Sequence, residues 1–303
     1  MFSHLLVPLD GSPLAESVLS VVGGLVETLA SRVTLLHVIE RRAPAAIHGA
    51  PHLTDATAAE AYLAGVAQRL PRDTRVTRHV HTVKEQDLPK SIADHAAELG
   101  ADLIVLCTHG RGRLRHRLFG GVAQRVAARG HGPILLVPPG EAGPEAFRCR
   151  TMLVPLDGRT AHEQGLEPAA DLARACQASV HLLAVVPTLG TLTGEQAATG
   201  QILPGATAAL LELDEDRAEA YVTAVVARLA GTGLGVTAEV GRGDPTAMIL
   251  KTARRCAADL IVLGTHGRWG LDAFWSASVA PRIAQKANVP VLLVPVTGGD
   301  EMA

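Results

Sequence analysis

Two short segments carry the residues able to do chemistry, and each occurs twice. Asp10 lies in LLVPLDGSPLAE (Leu5 to Glu16) and Asp157 in MLVPLDGRTAHE (Met152 to Glu163), while the turn Thr108-His109-Gly110-Arg111 returns as Thr265-His266-Gly267-Arg268. A carboxylate that ends an apolar run, set beside a glycine-rich strand-to-helix turn, suits a place where bare main-chain amides converge on an anion. A helix N-terminus supplies partial positive charge there, and glycine lets the backbone approach. The candidate donors are the N–H groups of His109 to Arg113 with Gly120-Gly121-Val122, and of His266 to Gly270 with Ala277-Ser278-Val279. The Ser278 hydroxyl is one more donor, and Arg111 and Arg268 are candidate phosphate clamps. A tight turn with positive φ would use the same glycines, and Asp-Gly is an ordinary turn pair, so the residues alone leave both readings open.

Other chemistries have no matching pattern. The chain has no G-x-x-x-x-G-K-[ST], no strand-bound G-x-G-x-x-G with a later acidic residue, and no G-x-S-x-G elbow. Its histidines show no H-E-x-x-H or similar metal spacing, so no metal ligands are assigned. Cys107, Cys149, Cys176 and Cys256 show no Cys-x-x-Cys spacing and read as thiols of a reducing compartment.

Composition narrows the class further. With 303 residues, 48% hydrophobic and 3% aromatic, the chain has room for two aliphatic cores. Its formal net charge is −2 and its basic residues are scattered apart from Arg111 to Arg117, which disfavours a nucleic-acid partner. No apolar run approaches the roughly 20 residues of a membrane span, and the first Asp and Gly come too early for a signal peptide, so a cytoplasmic protein is expected.

The duplication sets the organisation. ADLIVLCTHGRG at Ala101 and ADLIVLGTHGRW at Ala258 are followed by PILLVP at Pro133 and PVLLVP at Pro290. Two copies of one domain are implied, 1–140 and 148–297, joined through the Pro- and Gly-bearing stretch Pro138–Arg150. The copies are offset by 147 residues early and 157 late, and the added length is expected as a loop at Pro187–Gly205.

Each copy alternates apolar runs with helical periodicity. His4–Leu9 and Thr151–Leu156 read as buried strands; Ser12 and Pro13 then read as the N-cap and first turn of a helix carrying Leu14, Val18, Val21, Leu25 and Leu29. Strand two is Val33–Ile39 or Val180–Val186, and a helix follows at Thr57–Leu70. The charged, alternating Arg75–Val83 reads as an edge strand, and Asp87 with Pro89, or Asp244 with Pro245, opens the next helix. Strand four is Asp102–Leu106 or Asp259–Leu263, and a helix at Val122–Arg129 or Val279–Lys286 leads into strand five at Ile134–Val137 or Val291–Val294. The fold class is α/β: two tandem doubly wound, five-stranded parallel sheets of Rossmann-like order 3-2-1-4-5 with helices on both faces. In that order ligands bind where the winding reverses, at the carboxyl ends of strands one and four.

These segments resemble the universal stress protein family in a tandem two-domain form, over nearly the whole chain. The family's nucleotide-binding branch carries G-x2-G-x9-G-[ST] after strand four; Gly264, Gly267 and Ser278 match it, with Ala277 in place of the third glycine. The first copy has Cys107, Gly110, Gly120 and Gly121 at those positions. The resemblance implies an ATP-binding stress-response regulator, with Mg as the ion that can accompany the phosphates. Pro8, Leu9, Asp10 and Val38, or Pro155, Leu156, Asp157 and Val185, would contact adenosine. Gly110, Gly120, Gly121 and Val122, or Gly264, Gly267, Ala277, Ser278 and Val279, would cradle ribose and phosphates, with Arg268 beside them. Cys107 adds a side chain and Gly121 removes a hydroxyl, so the second copy is expected to be the better site. A slow Mg-dependent ATP hydrolase and a nucleotide-free interaction scaffold are the alternatives. The resemblance also implies that the last strands pair edge to edge as an intrachain pseudo-dimer, with a homo-oligomer open to further association.

Overall fold

The computed structural model describes residues 1–41, 43–108, 121–129, 132–140, 147–158, 163, 165–266 and 279–296. The first half runs β1 (His4–Pro8), α1 (Leu19–Leu29), β2 (Arg32–Glu40), a hairpin of β3 (Ala46–Ile47) and β4 (Ala50–Pro51), α2 (Ala56–Ala67), β5 (Val76–Glu85), α3 (Leu88–Leu99), β6 (Leu103–Cys107), α4 (Gly121–Ala127) and β7 (Ile134–Val137). The second runs β8 (Thr151–Leu156), α5 (Leu166–Cys176), β9 (Ser179–Val186), α6 (Gly194–Ile202), α7 (Pro204–Ala230), β10 (Val236–Arg242), α8 (Pro245–Arg255), β11 (Leu260–His266), α9 (Val279–Lys286) and β12 (Val291–Val296). The strand orders are β5-β2-β1-β6-β7 and β10-β9-β8-β11-β12, which is 3-2-1-4-5 in both. The expected fold class stands.

Strands that are apolar at every position feed two cores, because successive side chains leave a strand on opposite faces. Leu5, Val7, Val33, Leu35 and Val105 face α1 and α2, where Val22, Leu25 and Leu63 meet them. Leu6, Leu36, Val38, Ile104 and Leu106 face α3 and α4, against Ile92, Ala96 and Val126. The helices begin where the sequence provides caps: the Asp87 carboxylate accepts from Lys90 N at 3.2 Å, and that of Asp244 from Ala247 N at 2.8 Å.

The two sheets continue into each other. β7 and β12 run antiparallel, with Leu135 opposite Leu292, so ten strands form one sheet and neither apolar edge is left bare. The connecting segment is docked along part of its length. Phe147 N donates to Ser20 O at 3.2 Å and Cys149 is buried.

Two local expectations are corrected. Ser12 caps as expected, its Oγ accepting from Ala15 N at 3.1 Å, but the α-helix does not start at Pro13: a 3-10 turn at Ala15–Val18 comes first, with Ser17 Oγ donating to Leu14 O at 2.7 Å. The stretch Pro187–Gly205 is not a loop: it holds a 3-10 turn at Leu189–Thr191, all of α6 and the start of the 27-residue α7. The early part of α7 is rich in good helix formers and largely exposed, with Leu210 and Leu213 facing solvent, so no apolar stripe marks it in the sequence. Its later part buries Val222, Val225 and Leu229 at helical spacing.

Two adjacent glycines of α1 test the docking of the connecting segment. A Cβ on Gly23 would meet Pro71 Cδ at 3.7 Å, an ordinary contact, whereas one on Gly24 would overlap the Phe147 carbonyl. Gly23→Ala should therefore stabilise the chain by about 0.5–1 kcal/mol through helix propensity. Gly24→Ala should destabilise it by about 1–3 kcal/mol through overpacking. Urea unfolding of the two variants reads the opposite signs, and a stabilising Gly24→Ala would mean that Phe147 is not held against α1.

Candidate functional site

In both halves the first and fourth strands part company early. β1 pairs with β2 over five residues but with β6 only at Leu5↔Leu103 and Leu6↔Ile104. β8 pairs with β9 over six residues but with β11 only at Met152↔Leu260 and Leu153↔Ile261. Past those points the strands separate, because the chain winds to opposite faces of the sheet on either side of them.

In the first half this gap opens into a cleft of about 770 Å³, part of it open to solvent. Pro8, Leu9, Asp10, Val38 and Val122 line it, which brings together five of the eight residues singled out in that half. Gly121 opens α4 beside Val122. Leu88 and Ile92 of α3 form another wall, and Ile47, His48 and His52 of the β3–β4 region close the outer side. In the second half Pro155 and Leu156 end β8, Asp157 follows, Val185 lies in β9, Gly264 in β11, and Val279 begins α9. Gly110, Gly120, Gly267, Arg268, Ala277 and Ser278 lie outside the described residues.

Asp10 is occupied by local structure. Its Oδ1 accepts from Ser12 N at 2.9 Å and Ser12 Oγ at 2.6 Å, and its Oδ2 lies 3.9 Å from His48 Nε2. This is the turn role that an Asp-Gly pair offers, with the second carboxylate oxygen still turned toward the cleft-lining His48. Thr108 and Thr265 are anchors rather than ligand groups, since both are buried and donate Oγ1 to Val137 O at 3.3 Å and Val294 O at 3.2 Å.

The Cys107/Gly264 difference is absorbed by the helix entry. Cys107 Sγ lies 3.1 Å from Ser17 Oγ and 3.2 Å from Thr108 O; burial, with a smaller contribution from Asp10, pushes the thiol up and keeps it protonated. At Gly264 there is no side chain, and the entry to α5 moves in: a Cβ on Gly165 would stand 3.2 Å from Gly264 N. The glycine is thus used by the protein's own backbone.

Three groups escaped the reading of the sequence. His37 bridges two carbonyls, with Nδ1 2.8 Å from Leu9 O and Nε2 3.0 Å from Leu53 O, and so ties the end of β1 to the segment covering the cleft. Around each Asp stands a repeated triad: Glu16 pairs with Arg69 beside Tyr62, and Glu163 with Arg228 beside Tyr221. Burial first, then the Glu partner and the nearby Asp10 or Asp157, drives both phenols upward, so they stay neutral. The signal was present as a third repeated block, AYLAGVAQRL at Ala61 and AYVTAVVARL at Ala220.

With fold and cleft in view, comparison with known proteins is decisive. The model of the universal stress protein family matches residues 1–138 and again 149–295. The chain belongs to the universal stress protein family. A universal stress protein of Mycolicibacterium smegmatis is 28% identical over 238 residues, covering 75% of this chain and 74% of its own length. The crystal structure of a universal stress protein from Archaeoglobus fulgidus superposes on 97% of this chain and 99% of that one, with a TM-score of 0.69 and 16% identity. A universal stress protein from the same organism, solved in complex with dAMP, aligns with 49% of this chain and 98% of its own, at a TM-score of 0.35 and 21% identity. Among the described residues no helix is long and apolar enough to cross a membrane.

In this family member the turn after the first strand differs between halves. Gly11 has φ +88° and Gly158 φ +79°, but a Cβ on Gly11 would meet Leu53 Cδ1 at 2.9 Å while one on Gly158 finds nothing within 4 Å. Gly158→Ala should cost about 1–2 kcal/mol for the left-handed backbone. Gly11→Ala should cost about 0.5–1.5 kcal/mol more, from the rotamer forced on Leu53. Equal losses in urea unfolding would show that Leu53 does not sit over the turn.

Proposed function

We propose that this universal stress protein is a cytoplasmic regulator that binds adenine nucleotide, ATP with or without Mg, at the mouths between β1 and β6 and between β8 and β11. The observation that carries the reading is the cleft where β1 and β6 separate, lined by Pro8, Leu9, Asp10, Val38 and Val122. Its apolar walls and few polar groups suit a nucleoside better than a free polyphosphate. The phosphates would be taken by the main-chain amides of the glycine-rich turns that follow strand four.

The second half remains the stronger phosphate site in this proposal, on the Ser278 hydroxyl alone. Cys107 lines the first cleft with its thiol turned to Ser17, at the position where the second half has Gly264. Regulation rather than turnover is the proposed role; the first cleft carries two His–carboxylate pairs, Asp10 with His48 and Glu40 with His52, and these are the groups a hydrolase reading would use. The domain limits 1–140 and 148–297 and the pseudo-dimeric pairing belong to the same proposal.

Calorimetric titration of nucleotide-stripped protein with Mg-ATP tests it. Two binding events are expected, with free ATP at 100-fold over Kd stabilising a site's fold by about 2.7 kcal/mol. Val122→Trp should weaken one event and Val279→Trp the other by at least tenfold, by filling the respective mouth. Gly267→Val should cost more affinity than Gly110→Val. Absence of any binding would leave the scaffold reading, and steady phosphate release from ATP would replace regulation with hydrolysis.

A further inference from the structure

A second site lies at the outer edge of the first half, formed by groups that the cleft does not use. His79 and His81 are two apart on β5 and share a face, and the register sets them beside Leu36 and Val38 of β2, on the side covered by α3. His95 descends from α3, one turn beyond Ile92, and is buried between them. Its ring centroid is 4.9 Å from that of His79 and 4.8 Å from that of His81. One nitrogen of each ring lies within 4.8 Å of the other two.

Two details go beyond three rings filling space. His95 Nδ1 lies 2.7 Å from the Ser91 carbonyl, to which it can only donate, so its Nε2 carries the lone pair. His81 Nε2 is buried and has no hydrogen-bond partner, although Glu85 Oε1 stands 3.3 Å away. The second half is an internal control. Glu239, Gly241 and Thr252 occupy the three matching positions, and there the Glu239 carboxylate accepts from Thr252 Oγ1 at 2.9 Å and from Arg255. Glu239 is held there by those hydrogen bonds, with His181 Nε2 3.6 Å from it, while a Cβ on Gly241 would meet Met248 Cε at 2.8 Å, so Met248 fills the space where the first half has an imidazole. The first half presents three imidazoles instead.

We propose that His79, His81 and His95 bind a divalent transition-metal ion, Zn²⁺ by preference, that clamps the edge strand β5 to α3. Imidazole nitrogens suit Zn²⁺, and three of them with one open position make a common tetrahedral set. Zn–N bonds of about 2.0–2.1 Å require nitrogens about 3.3 Å apart, so the rings close by about 1.5 Å at most. β5 is an edge strand with a register shift between Val38 and Glu40 of its neighbour, and it can follow. Glu85 stands close enough to offset the charge of the ion. Because Leu88 and Ile92 of the same helix line the cleft, the ion would also fix one of its walls.

The test is titration of the full chain, stripped with a chelator, with ZnCl₂ by calorimetry and thermal melting, and with Co²⁺ by visible absorption. Expected are one equivalent bound per chain, a raised Tm, and the d–d bands of a four-coordinate Co²⁺ site. The double variant His79→Gln/His81→Gln should bind at least 100-fold more weakly and lose the bands, whereas Glu239→Gln should leave both unchanged. If the double variant is unfolded by circular dichroism, the half-exposed His79→Gln alone carries the test, with at least tenfold weaker binding. No Zn²⁺ binding by the parent chain, or parent affinity and bands in the folded His79 variant, would overturn the proposal.

Discussion

The structure depends on one topological constraint: a parallel sheet whose connections run to one face on the left of β1 and to the other face on the right. Right-handed crossovers allow no other way to cover both faces of β1. The helices that would fill the space above its carboxyl end are carried off in opposite directions, and β1 and β6 lose each other after two paired residues. The cleft is therefore not carved by particular side chains. It is what remains when the two windings diverge, and the residues that line it are those the strand ends leave there. The same divergence recurs between β8 and β11.

Given one backbone solution twice, the sequence has spent its freedom on side chains. At the fourth strand, Cys107 with Ser17 fills the volume that Gly264 concedes to the entry of α5. Interior packing is close to crystalline density, so a side chain gained in one element must be matched by a retreat in its neighbour. His37 ties down a covering segment in the first half, while the matching position in the second is Ala184, which has no group to bridge two carbonyls. The Glu–Arg–Tyr triads are unchanged in both. The triads beside the aspartate turns are kept; the differences lie at the fourth strand, the covering segment and the edge strand.

Joining the halves through β7 and β12 solves the problem each would have alone. Strand five is four apolar residues long in the first half and buried throughout, and an unpaired edge of that kind invites aggregation. Pairing it antiparallel with its counterpart satisfies the edge within one chain, and it leaves β5 and β10 as the two outer strands. Both of these mix apolar residues with charged and polar ones, as an edge with one solvent-facing side requires. The docking of Phe147 on α1 continues the contact between halves along the face covered by α1 and α5.

The chain alone determined the architecture, because its signals are local and periodic. Doubly apolar runs such as Leu5 to Val7, caps at Asp87 and Asp244, and the repeat itself fix strands, helices and their order. The repeat also exposed the residues at the mouths of the sheets, which are set by strand ends. The sequence did not disclose α6 and early α7, whose helices lack an apolar stripe, and it left open the turn role that Asp10 Oδ1 takes with Ser12. Least legible were His79, His81 and His95. Two of them are neighbours on a strand, but the third is brought in only when α3 crosses that strand, and no linear spacing encodes the distance between elements that meet through packing.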